Sequence, residues 1–76
     1  MPDGYLSFTV EYVDRQLHPG HYLIAKSQVG LGKSIIEAAW DRIRNGETIG
    51  EEDSANETIV HPVILNPATV LRIRRD

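Results

Sequence analysis

One stretch of this chain, Lys33 to Gly46, carries a helical apolar repeat with both ends marked, and the rest of the sequence has to fold around it. Ile35, Ile36, Ala39, Trp40 and Ile43 fall on one stripe of a 3.6-residue helix and leave Glu37, Asp41, Arg42 and Arg44 toward water. Ser34 followed by Glu37 fits a capping box, in which each side chain takes an otherwise unpaired backbone N–H. Asn45-Gly46 supplies the left-handed residue that closes the other end. An amphipathic helix needs an apolar surface to cover, and the flanking segments read as the strands that provide it.

Tyr5 to Asp14 alternates, with Leu6, Phe8, Val10 and Tyr12 on one face and Ser7, Thr9 and Glu11 on the other. Pro19-Gly20 fits the central positions of a type II turn, so His21 to Gln28 is expected to return as an antiparallel strand. A helical turn from Leu23 to Ser27 is the other reading of that segment. After the helix, residues 47–57 are acidic and poor in large apolar groups, which predicts a mobile loop. Thr58 to Leu65 and Thr69 to Arg75 are β-rich and flank Asn66-Pro67-Ala68, so a C-terminal hairpin is expected, with Pro62 at an edge or a bulge. The predicted fold is one small α+β domain, a single-layer antiparallel sheet under one covering helix in the order β-β-α-β-β.

A chain of 76 residues buries only about 60% of the surface its unfolded form exposes, and without cysteine it has neither disulfides nor thiolate metal sites to reinforce it. A partner subunit is one remedy. Val13, Val60, Ile64 and Val70 fall by alternation on the side of the sheet away from the helix, which predicts a homodimer through that face or through strand pairing. The first residues lack the basic and apolar regions of a signal peptide and no apolar run reaches membrane-spanning length, so the cytoplasm is the expected compartment.

Chemistry-bearing motifs are weak. Gly30-Leu-Gly-Lys-Ser34 invites comparison with a phosphate loop, but the position of the first glycine of that motif is Ser27. What remains is an incidental anion site at Gly32, Lys33 and Ser34, against plain helix capping. His18, His21 and His61 are the material for a metal site or a general base, yet no carboxylate beyond Asp14 is near enough in sequence to orient the first two. No cofactor and no activated nucleophile is read, and the chain is expected not to be an enzyme.

Two charged groups remain as partner-binding candidates: Glu51, Glu52 and Asp53, and Arg72, Arg74 and Arg75. The net charge of −3 argues against general affinity for nucleic acid. The expected function is therefore a non-catalytic protein-binding module, an inhibitor or accessory protein of a type common among small prokaryotic and phage domains, working by a sheet edge, a helix face or the acidic loop. A dimeric nucleic-acid-binding regulator using the arginines of the C-terminal hairpin is the alternative, and a small histidine-based metal protein or enzyme comes third.

Overall fold

The computed structural model describes residues 2–76, and the elements among them are β1 (Tyr5–Tyr12), β2 (Gly20–Ala25), α1 (Ile35–Arg44), β3 (Ile49–Glu52), β4 (Val60–Val63) and β5 (Val70–Arg75), with 3-10 turns at Lys26–Gln28 and Pro67–Thr69. The strands form one antiparallel sheet in the order β4-β3-β2-β1-β5, and α1 packs against β5, β1 and β3. The α+β class and the covering helix are as expected from the sequence. The strand count and order are not, because β3 was read as loop.

Helix α1 begins where the sequence marks it: Ser34 Oγ accepts the Glu37 N–H at 3.2 Å. It ends in a Schellman arrangement, with Glu47 N–H on the Arg42 carbonyl at 2.8 Å, Gly46 N–H on the Ile43 carbonyl at 3.2 Å, and Gly46 at φ +70°. Ala38, Ala39 and Ile43 form its buried face, the two alanines letting the helix axis lie close to the sheet. Trp40 is only partly buried at the margin of the core, and the Arg44 guanidinium sits 4.7 Å from its ring centroid. Phe8, Val10, Ile24 and Ile43 are the large side chains most fully enclosed.

Three expectations are corrected by the sheet. Residues 47–57 are not loop throughout: Ile49 is 2% exposed and Ile49–Glu52 pairs with both β2 and β4. The acidic residues that suggested a loop are the exposed end of a short strand. Second, β4 and β5 do not form a hairpin but lie on opposite edges of the sheet. Asn66 spends its turn chemistry on a 3-10 turn instead, its Oδ1 accepting the Ala68 N–H at 3.0 Å, while Leu65 packs against the core as the chain crosses. Third, Val70 faces the core. A register shift opposite Glu11 and Tyr12 bulges β5 at Leu71, so Val70 and Ile73 both point inward and Arg72 and Arg74 point out.

The β1–β2 reversal also lies elsewhere than predicted. Asp14 organises it, with its carbonyl taking the Leu17 N–H at 3.1 Å and its Oδ1 taking the Gln16 N–H at 3.0 Å. Gly20 is already in β2, paired with Val10.

Candidate interaction surface

The face of the sheet away from α1 carries Ser7, Thr9 and Glu11 from β1, His21 and Leu23 from β2, and Arg72 and Arg74 from β5. It is mostly polar, and of the four apolar residues expected there only Val60 of β4 lies on it, half-buried on the same side as Leu23: Val70 is in the core, and Val13 and Ile64 are exposed just beyond the ends of β1 and β4.

Thr9 is 2% exposed at the centre of this face. Its hydroxyl donates to Asp76 Oδ1 at 2.5 Å and lies 3.1 Å from His21 Nδ1. A hydroxyl has one hydrogen to give, so with Asp76 receiving it Thr9 Oγ1 accepts from Nδ1–H of His21. The order carboxylate–hydroxyl–imidazole orients the ring. Activation of a nucleophile needs the imidazole to take the hydroxyl proton, with the carboxylate behind it.

Beside this group, Glu11 Oε2 accepts from Arg72 Nε at 2.8 Å and Nη2 at 2.6 Å, and Arg74 Nε lies 2.9 Å away. The hydrogen bonds of Arg72 are the main cause holding the Glu11 carboxyl below its usual range, with both arginine charges adding to it. Two guanidiniums share the Glu11 carboxylate, and a second carboxylate, that of Asp76, lies on Thr9, the residue opposite Arg74. Arg75 does not join them: it pairs with Phe8 in register and lines, with Leu6, Lys33 and Ile35, a separate hollow of about 420 Å³.

The acidic trio is likewise divided. Glu51 is opposite His61 and Glu52 opposite Val60, so successive side chains leave opposite faces of β3, while Asp53 closes the turn to β4. Asp53 Oδ2 accepts the N–H groups of Ala55 at 2.9 Å and Asn56 at 3.0 Å, and Oδ1 lies 2.7 Å from His61 Nε2. Asn56 Oδ1 accepts from Thr58 N–H and Oγ1 in turn. Residues 51–55 and Glu57 wall a cleft of about 650 Å³ over His21 and Leu23. Among the described residues no three of His, Cys, Asp or Glu are placed to hold a metal ion, and His61 and His21 are engaged with different partners.

The His61 hydrogen bond is the first cause lowering the Asp53 carboxyl below its ordinary 3.8, followed by the loop N–H groups. A depressed folded value gives stability that is present above the ordinary carboxylate range and lost as pH falls through the folded value. Acidification is therefore expected to open the 53–59 turn before the sheet unfolds. Proton NMR titration checks this: the Ala55 and Asn56 amide shifts should move together below the ordinary range, and in Asp53→Ala both amides should exchange faster at neutral pH.

At the helix start, Lys33 Nζ lies 2.5 Å from Asp41 Oδ2, whose hydrogen bond raises the lysine's proton affinity. Gly32 has φ +79° and Ser34 is the cap, so Gly32, Lys33 and Ser34 share the work of turning the chain into α1.

The two edges of the sheet differ. Strand β4 is four residues long and contains Pro62, which has no N–H to offer. Strand β5 is six residues long with no proline; its first N–H, that of Val70, is held by the Pro67 carbonyl, and among the described residues no further main-chain hydrogen bond is made on its outer side. Leu71, at its bulge, is 54% exposed. No family model, curated protein or solved structure matches this chain. No helix among the described residues is long and apolar enough to cross a membrane.

The sequence did not point to Thr9, His21 and Asp76 or to the Glu11 pairing, because both join residues more than sixty positions apart. Alternation in β1 places Thr9 and Glu11 on one face, but only the β1–β5 pairing brings Asp76 and the arginines to them.

Proposed function

We propose that this protein is a non-catalytic protein-binding module, an accessory or inhibitor protein that captures an extended segment of its partner along the free edge of β5. The observation that carries this reading is the contrast between the edges: β4 is short and blunted by Pro62, whereas β5 is longer, has no proline and beyond Val70 leaves its outer main-chain groups open. Strand addition draws its affinity from main-chain hydrogen bonds and its selectivity from alternate side chains. A partner strand would extend a sheet whose rigidity comes from the helix-covered core, so ordering falls mainly on the partner.

The nucleic-acid reading draws on Arg72 and Arg74 lying side by side on an open face. Glu11 between them counts against it, since a phosphate would have to displace or tolerate that carboxylate. The metal-protein reading has no support among the described residues.

Selection of linear peptides from a random display library tests the proposal. Enriched peptides should slow amide exchange in residues 70–75 while leaving β4 unchanged. Binders that protect β4 or α1 and leave β5 untouched would contradict it.

A further inference from the structure

We infer that the segment accepted by β5 is acidic, with two carboxylates spaced two residues apart and apolar residues around them. The inference rests on the β5-edge reading above and names the chemistry of its partner. On either strand direction, residues opposite Arg72 and Arg74 are separated by one residue and share the face of those arginines. Each guanidinium keeps donors that Glu11 does not use: Arg72 presents Nε and Nη2 to that carboxylate, and Arg74 presents Nε. The remaining Nη groups can take a carboxylate from an added strand through charge-assisted hydrogen bonds, while the Asp76 carboxylate is engaged by the Thr9 hydroxyl. Leu71, exposed at the bulge one residue before Arg72, gives an apolar side chain of the partner something to cover.

The same charges argue against a second copy as the occupant. The two-fold antiparallel registers that use most of β5 set Arg72 opposite itself or opposite Arg74 across the axis. Like charges directly opposite are destabilising in a ladder, so the strand that suits a partner's acidic segment does not suit its own duplicate. The homodimer expected through strand pairing or the uncovered sheet face is therefore the less favoured occupant of this edge.

The experiment uses the whole chain and four probes: eight-residue peptides alternating Glu with Val, Thr with Val and Lys with Val, and a single-stranded oligonucleotide of eight bases. The acidic peptide is expected to bind, to slow amide exchange in residues 70–75, and to weaken as salt rises from about 50 to about 500 mM, because exposed charge pairs are screened. Arg72→Gln with Arg74→Gln should lose roughly tenfold in affinity, as expected when charge-assisted hydrogen bonds become neutral ones. A thermal melt of that variant verifies folding, and the salt series on the parent protein tests the same point independently. Equal binding of the Thr peptide at β5, without salt dependence, would overturn the acidic preference and leave the edge reading standing. Binding without protection of residues 70–75, or no binding by any peptide, would overturn both. Tighter binding of the oligonucleotide than of the acidic peptide would move the surface to nucleic acid.

Discussion

Phe8→Ala is expected to leave the chain largely unfolded at room temperature. Phe8 is 0% exposed and stacks at 36° against Tyr22 with centroids 6.2 Å apart, so its removal empties the centre of the single core. Loss of a buried phenylalanine costs about 3–5 kcal/mol through lost transfer energy and the cavity left behind. At about 0.05–0.15 kcal/mol per residue a chain of this length holds roughly 4–11 kcal/mol, and small domains lie toward the lower end. Trp40→Ala is the informative comparison. The larger ring sits at the core margin under Arg44, so its loss should cost only about 1–2 kcal/mol and preserve a cooperative melt. Denaturant unfolding of the two variants decides between the positions: a larger loss for Trp40→Ala than for Phe8→Ala would mean that the helix buries a different stripe.

The contrast between these residues bears on what the sequence could reveal. Periodicity puts Trp40 on the apolar stripe of α1, but a stripe is wider than the line of closest contact: Ala39 on it, and Ala38 beside it, approach the sheet while the indole stays at the rim. Strand β1 and the caps of α1 were legible because both are local: alternation over eight residues, and a hydroxyl three positions before the amide it accepts. Strand β3 was hidden by composition. Its inward anchor is Ile49, followed by Gly50 and two glutamates that reach solvent, so the average over 47–57 is that of a loop although four residues of it pair. Val70 was misplaced by one inserted residue, since a bulge reverses every face assignment beyond it and leaves no mark in a strict alternation.

The candidate surface was less legible than the fold. Alternation alone puts Arg72 and Arg74 on one face of the last strand, but the claim of Glu11 on both depends on β5 lying beside β1. A hairpin loop at Asn66-Pro67-Ala68 would instead make β4 the neighbour of β5. The acidic trio stays together around the cleft over His21 and Leu23, but Asp53 is given over to the turn and the two glutamates leave opposite faces of β3. In both cases adjacency along the chain suggested a shared site, and strand geometry gave its members different surroundings.

Gly20→Ala is the second change with a large expected effect, and the reason is space rather than backbone freedom. Positive φ values among the glycines occur at Gly4, Gly32 and Gly46, and Gly20 adopts a conformation open to any residue. A Cβ added there would lie 2.5 Å from Tyr12 Oη and 2.6 and 2.9 Å from Tyr22 Cε2 and Cζ. The two tyrosine hydroxyls are hydrogen-bonded to each other, and Tyr22 is 7% exposed within the core, so neither ring can step aside without breaking that bond or disturbing Ile24 and Phe8. Overpacking of this kind costs about 1–3 kcal/mol, and the larger Gly20→Val should exceed Ala. Burial first, and Tyr12 second, push the Tyr22 hydroxyl well above its ordinary 10.0. Folding therefore loses stability as pH rises past that ordinary value, where the unfolded chain releases the proton and the folded chain keeps it. If the ring is displaced toward water, its ionisation should return toward the ordinary value. Ultraviolet titration of folded Gly20→Ala would show an added tyrosine ionising near that value, alongside an earlier midpoint in urea. Tyr12→Phe in the same background removes the 2.5 Å contact but leaves both Tyr22 carbons in place, so it should recover only part of the loss. Full recovery would mean that the Tyr12 hydroxyl was the sole obstacle and that the Tyr22 ring can shift freely.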